Sequence, residues 1–130
     1  MSFTPTSTSG LQSVLTLTGR PTQAPVSLSI AVGDEYPQPY PYYLPCSFYY
    51  SSAGGGLAWT NEAEGSAAYI TNYSCAVTLN SIDYNPSTGN RTLNVTVSYY
   101  SSIWGTQPIK ARVSSPSGVT NWTTVGTWIP

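Results

Sequence analysis

The side chains with the strongest claim to chemistry are two cysteines and five carboxylates, because the 130 residues include no histidine. Serine and cysteine nucleophiles normally depend on a histidine base, and zinc and redox metals commonly need imidazole ligands. The sequence therefore predicts no nucleophilic active site, no transition-metal centre and no cofactor.

The carboxylates are the remaining candidates for catalysis or cation binding. Glycoside hydrolysis requires two carboxylates that face each other across a cleft, and a calcium loop typically carries an Asp-x-Asp-x-Asp pattern, which is absent. All five lie in or beside predicted loops, where charged side chains are usually solvated. They are Asp34, Glu35, Glu62, Glu64 and Asp83. We predict neither an enzyme nor a metal site.

Cys46 and Cys75 are candidates for one disulfide bond. A loop of about thirty residues closed in this way would stabilise the fold by roughly 3–4 kcal/mol in the chain-entropy model. The alternative is a pair of buried free thiols, as expected for a protein that matures in a reducing cytosol. The sequence leaves both open.

Low charge is the most unusual property of the composition. Only 7% of residues are charged and the formal net charge is -1. Such a chain has no field strong enough to gather nucleic acid or anionic lipid, so neither is an expected partner. The basic residues of the last third, Arg91, Lys110 and Arg112, are expected on solvated strand faces. Without histidine, stability should change little between about pH 5 and 8.

Period-two alternation predicts strands along most of the chain. It is clearest over 92–99, where Leu93, Val95 and Val97 alternate with polar residues, and no window shows a capped helical repeat. Turn signals and a Pro/Tyr-rich connection over 33–45 separate about seven to nine short strands. We predict a single antiparallel β-sandwich, Ig-like or jelly-roll, over 11–130, with a β-barrel as the alternative. The Ser/Thr/Pro-rich residues 1–10 are predicted to form a flexible arm.

The last strand suggests an interface. Val119, Val125 and Ile129 share one parity and the two tryptophans, Trp122 and Trp128, share the other, so both faces are apolar. The second face is then expected to meet another subunit, a supporting shell or a second layer of the same domain. The arm and its following strand could add to a neighbour's sheet edge or fray in solvent. The interface candidates are Trp122, Trp128, Tyr100, Tyr42, Tyr43, Leu11, Leu15 and Leu17.

The expected location is outside the cell. The N-terminus lacks the features of a secretory signal peptide, and no apolar stretch is long enough to span a membrane. The composition nevertheless resembles that of extracellular proteins. Asn-x-Ser/Thr triplets begin at Asn72, Asn90, Asn94 and Asn121. A virion surface protein made in the host cytoplasm reconciles these features, and a mature extracellular chain is the alternative.

These inferences predict a structural protein that acts through aromatic, charge-poor contacts. The first expectation is a capsid decoration or cement protein whose partners are other protein subunits, either a capsid shell or copies of itself. A carbohydrate-binding module or small lectin is the second, since tyrosine and tryptophan rings stack on sugars. A pilus-like filament subunit joined by strand exchange is the third.

Overall fold

Alternating apolar and polar residues along extended segments build the fold, which we describe from a computed structural model. The structure describes residues 1–20, 26–33, 46–60, 62, 65–72, 74–100, 106–115, 118–119 and 121–130. Its strands are β1 (Ser2–Thr4), β2 (Ser7–Ser9), β3 (Gln12–Gly19), β4 (Ser27–Val32), β5 (Cys46–Ser51), β6 (Gly56–Trp59), β7 (Tyr69–Thr71), β8 (Cys75–Asn85), β9 (Asn90–Tyr99), β10 (Gln107–Ser115), β11 (Gly118–Val119) and β12 (Thr123–Ile129). These described residues include no helix that is long and apolar enough to cross a lipid bilayer.

The strands form two sheets that pack face to face. One has five strands in the order β1-β3-β9-β8-β7, and the other has seven, in the order β2-β12-β10-β4-β5-β6 with β11 on β10. Among the described strands, every pair is antiparallel except β2 with β12. The predicted β-sandwich is confirmed and the barrel alternative is wrong, since the described strands form two open sheets and do not close into a barrel. The twelve described strands exceed the predicted seven to nine because several are only two to four residues long.

The strand order matches that of an immunoglobulin variable-type sandwich. In that arrangement one sheet is A-B-E-D and the other is G-F-C with C′ and C″ added. Here β1-β3-β9-β8 follow the first order and β12-β10-β4-β5-β6 follow the second, with the same sequence of strands along the chain. Of the two predicted forms, the connectivity is Ig-like rather than jelly-roll.

The core lies between the sheets and consists of the inward side chains of both. It includes Phe3, Leu15, Leu17, Leu28, Ile30, Val32, Phe48, Leu57, Val77, Leu93, Val95, Val97, Tyr99, Ile109, Ala111 and Trp128. β-branched and aromatic residues suit such positions because they fill a half-buried pleated surface.

Trp128 and Tyr99 form an aromatic contact within this core. The ring of Tyr99 meets that of Trp128 edge-on, with centroids 5.0 Å apart, and Trp128 Nε1 donates to the carbonyl oxygen of Gly10 at 2.7 Å. The Tyr99 hydroxyl donates to the carbonyl oxygen of Val32 at 3.2 Å. Both polar atoms are therefore satisfied inside the fold, and burial raises the pKa of Tyr99 well above its usual range.

A disulfide bond joins Cys46 to Cys75. Cys46 begins β5 of the seven-stranded sheet and Cys75 begins β8 of the five-stranded sheet, with their Cα atoms 6.0 Å apart. Of the two states that the sequence left open, the structure has the bonded one. The bond connects the two layers across the core.

The first ten residues contribute to both sheets. β1 pairs with β3, and β2 pairs with β12. Phe3 is buried, and Thr127 N donates to the carbonyl oxygen of Thr6 at 3.0 Å. The structure thus differs from the flexible arm predicted for residues 1–10. One inward phenylalanine and main-chain pairing are enough to hold a segment whose other side chains are mostly polar.

Candidate docking surface

The outer face of the five-stranded sheet is a broad surface with very little charge, which we call the Thr/Asn face. Side chains alternate along each strand, so the residues between the core positions point outward. The outward residues are Gln12, Val14, Thr16, Thr18, Tyr69, Thr71, Ala76, Thr78, Asn80, Ser81, Asp83, Thr92, Asn94, Thr96 and Ser98. Of these described side chains one is charged, Asp83.

Hydrogen bonds between side chains tie three strands of the Thr/Asn face together. Asn80 Nδ2 donates to Asn94 Oδ1 at 2.9 Å and to Thr96 Oγ1 at 2.8 Å. Asn94 Nδ2 donates in turn to Thr16 Oγ1 at 3.1 Å. Asn80 occupies the extra position of a β-bulge between Leu79 and Ser81. The bulge lets this amide reach two neighbours at once, so the polar groups of the face are held in place before any partner arrives.

Two tyrosines and a valine add apolar area to the same face. Tyr69 and Tyr100 are each 55% exposed and Val14 is 49% exposed. The hydroxyl of Tyr100 is hydrogen-bonded to that of Thr71, on the edge strand β7. Tyr100 therefore reaches across the end of the sheet. Of the predicted interface residues, Tyr100 contributes to the face, whereas Tyr69 and Val14 were missed.

Trp128 lies in the core of this domain. It is fully buried, as are Leu15 and Leu17, so these three predicted interface side chains belong to the core. Leu11 is 46% exposed and Ile129 is 53% exposed. Gly10 N donates to the Ile129 carbonyl oxygen, so these two apolar side chains lie near one end of the sandwich.

A β-bulge explains why the last strand looks apolar on both faces. The pairing register between β10 and β12 shifts at Ile109 and Lys110. Ile109 pairs with Gly126 and Lys110 pairs with Thr124, so Val125 has no partner in β10. Strict alternation therefore fails within β12. Trp128 points into the core, and Ile129 faces solvent.

Trp122 is half-buried and belongs to a different surface from the Thr/Asn face. Its ring lies under the guanidinium of Arg112, with Arg112 Cζ 4.3 Å from the ring centroid. Arg112 lies on β10 of the seven-stranded sheet. The remaining interface candidates, Tyr42 and Tyr43, lie outside the described residues.

Titratable groups do not gather into a centre in the part of the chain that the structure describes. No three of its Cys, Asp and Glu side chains are grouped as a metal site would require. Glu62 follows β6, where its carbonyl oxygen accepts from the Tyr49 hydroxyl at 2.8 Å, and Asp83 lies on the other sheet. These two carboxylates are not a facing pair. Asp34, Glu35 and Glu64 lie outside the described residues.

Two of the four Asn-x-Ser/Thr triplets have an asparagine side chain that is already engaged. Asn72 Oδ1 accepts from the main-chain N–H groups of Ser74 and Cys75, at 2.8 and 2.9 Å, and so stabilises the turn between β7 and β8. Asn94 is held within the Thr/Asn face as described above. Their local role is structural.

No known protein-family model, curated protein or solved structure gives a significant match to this chain. The Thr/Asn face offers hydroxyl and amide groups in fixed positions, aromatic and aliphatic area, and one described carboxylate. Such a surface can bind an uncharged partner by hydrogen bonds and van der Waals contact.

Proposed function

We propose that this domain is a structural protein of a virion surface, of the capsid decoration type, and that it docks on its shell through the Thr/Asn face. The observation that carries the proposal is a nearly uncharged outer sheet face whose side chains are hydrogen-bonded to one another. Interface cores are depleted of Lys, Glu and Asp, because burying an unpaired charge is costly.

The size of the face fits a modest contact by each copy. Four strands about 4.8 Å apart and about eight residues long cover roughly 500 Å². One partner in a standard protein interface contributes about 800 Å². A decoration protein bound in many copies can act through such a contact, because neighbouring copies add to one another's binding.

The disulfide and the titratable groups support a location on the outside of a particle. Disulfides persist in oxidising surroundings and are uncommon in a reducing cytosol. With no histidine in the chain, little in the fold responds to pH between about 5 and 8. Both properties suit a protein that must endure outside a cell.

Particle association tests the proposal directly. Particles released from the source cells would be purified by density gradient, quantified by mass spectrometry and labelled with an antibody to this chain for electron microscopy. We expect the protein in a fixed ratio to the major shell protein, with label on the outer surface. Its absence from purified particles would contradict the proposal.

A carbohydrate-binding role is the second candidate, and Tyr69 and Tyr100 are the observation that favours it. Both rings are more than half exposed beside the hydroxyls of the Thr/Asn face. Aromatic rings flanked by hydrogen-bonding groups suit neutral sugars. Binding of the isolated domain to neutral glycans, weakened in a Tyr69→Ala variant, would favour this role over a purely structural one.

A further inference from the structure

Two arginines converge on the turn that joins β8 to β9. Arg91 is the second residue of β9, and its Cζ lies 4.6 Å from the centroid of the Tyr84 ring. Arg20 follows β3, and a methyl group added to Gly89 would lie 3.8 Å from Arg20 Nε. Gly19, the residue before Arg20, pairs with Arg91 on the neighbouring strand. Both guanidinium groups therefore lie around one short turn.

Neither arginine has a counter-charge among the described residues. No hydrogen bond or ion pair joins either guanidinium to a carboxylate there. Asp83 pairs with Thr92, so its side chain lies on the opposite face of the sheet from that of Arg91. The whole chain has four basic residues. Two of these four lie near the same turn without a carboxylate partner among the described residues, and they form a local positive site on a nearly neutral molecule.

The geometry suits an oxyanion. A guanidinium presents a planar fork of N–H donors that matches the two oxygens of a carboxylate. Stacking on Tyr84 restrains Arg91 in advance, which reduces the entropy lost when a ligand binds. Two cations are too few to retain a nucleic acid, whose binding depends on many phosphate contacts.

Other groups at the turn point to a sugar as the carrier of the carboxylate. The Tyr84 ring is 55% exposed, so it retains area for stacking beside the arginines. The turn adds the hydroxyls of Ser87 and Thr88 and the amide of Asn85, all on exposed residues. Asn85 Oδ1 and Thr88 Oγ1 also accept hydrogen bonds from main-chain N–H groups within the turn, which orients both side chains. An aromatic ring, hydrogen-bonding side chains and a carboxylate-binding fork together fit an acidic pyranose.

We propose that Arg20, Arg91 and Tyr84 form a binding site for the carboxylate of an acidic saccharide, such as a uronic acid. The site lies at the β8–β9 end of the sandwich, and its residues are not members of the Thr/Asn face. It is therefore independent of the proposed docking function, and either can fail without the other.

An NMR titration tests the site with defined probes. The full chain would be titrated with digalacturonate and with the matching neutral disaccharide, while the amide signals of 84–91 and the Nε–H signals of Arg20 and Arg91 are followed. We expect saturable shifts with digalacturonate alone. Shifts of equal size with the neutral sugar, or shifts confined to another part of the molecule, would overturn the proposal.

Variants distinguish bidentate hydrogen bonding by the guanidinium groups from a non-specific effect of positive charge. Arg91→Gln and Arg20→Gln should each weaken binding about tenfold, the loss expected for one charge-assisted hydrogen bond. Arg91→Lys keeps the charge and should recover only part of the affinity. Arg112→Gln is the matched control, since Arg112 also stacks on an aromatic ring but lies on the other sheet. Unchanged affinity in both turn variants, or equal loss in the control, would refute the assignment.

Acetate distinguishes the sugar from the anion. If acetate binds as tightly as digalacturonate, the Tyr84 ring and the turn hydroxyls contribute nothing and the saccharide assignment is wrong. Thermal unfolding of each variant would verify that the fold is intact. Tyr84→Ala should lower digalacturonate affinity by a larger factor than acetate affinity, because acetate loses only the restraint on Arg91 whereas the sugar also loses its stacking partner.

Discussion

Removing the inter-sheet disulfide should cost a large part of the stability of this domain. The bond joins residues 29 apart in sequence. In the chain-entropy model a loop of that length lowers the entropy of the unfolded chain by about 12 cal/mol/K, or about 3.6 kcal/mol at 25 °C. Both cysteines are fully buried, so Cys46→Ala/Cys75→Ala also loses sulfur packing that is worth about 1 kcal/mol for each atom.

The expected total is a loss of about 5 kcal/mol, against the 5–15 kcal/mol typical of whole domains. Urea unfolding measures it, and the melting temperature should fall by about 15 °C. The slope of the transition should also increase, since an uncrosslinked unfolded chain exposes more surface. Reductant provides the control: it should destabilise the natural protein and leave the double variant unchanged. A loss below about 1 kcal/mol would refute the view that this bond holds the layers together.

The core, the pH response and the N-terminal strand give three further predictions. Trp128→Ala should lower the free energy of unfolding in urea by about 3–5 kcal/mol, whereas Trp122→Ala, at the half-buried ring, should cost far less; equal costs would contradict the buried position of Trp128. The free energy of unfolding should stay constant up to about pH 9 and fall above about pH 10. In the unfolded chain Tyr99 ionises near its ordinary pKa of about 10, whereas burial keeps the hydroxyl protonated in the fold. An equally steep fall in a Tyr99→Phe variant would argue against this cause. Gly126→Ala should loosen β2, since its methyl would lie 2.6 Å from the carbonyl oxygen of Thr6; faster hydrogen exchange at residues 6–9 checks it, and unchanged exchange would count against the close approach.

The sheets could be predicted from the sequence wherever alternation was strict. β9 is the clearest case: Leu93, Val95 and Val97 are buried and their neighbours face outward. Its partner β3 follows the same rule through Leu15 and Leu17. A period of two determines which side of a strand is covered, so these segments imply a sheet with one face against a core and the other in water.

The last strand could not be predicted in the same way. Its alternation is interrupted by a bulge whose extra residue, Val125, has no signature in a single sequence. Trp122 and Trp128 therefore share parity in the sequence but not environment in the structure. The strands of the N-terminal segment were missed for a different reason. Their pairing depends on main-chain hydrogen bonds, which can form whatever the side chains are and therefore leave no pattern in the sequence.

The Thr/Asn face could be predicted only in part from the sequence. Outward threonines follow from alternation, and Tyr100 was a candidate. The amide of Asn80 that links two strands depends on a bulge, and Tyr69 lies on a strand of three residues, too short for periodicity to reveal. The convergence of Arg20 and Arg91 depends on strand pairing between distant segments, which one sequence does not display.

A lysine scan of the two sheet faces tests the central claim most directly. Thr78→Lys and Val14→Lys would place a charge on the Thr/Asn face, while Thr127→Lys would place one on an exposed position of β12 in the other sheet. Binding of each variant to purified particles stripped of the protein would be measured by cosedimentation. We expect the first two variants to lose at least tenfold in affinity, about 1.4 kcal/mol, and the third to bind like the natural protein. Full binding by both face variants, or loss in Thr127→Lys alone, would contradict docking through this face.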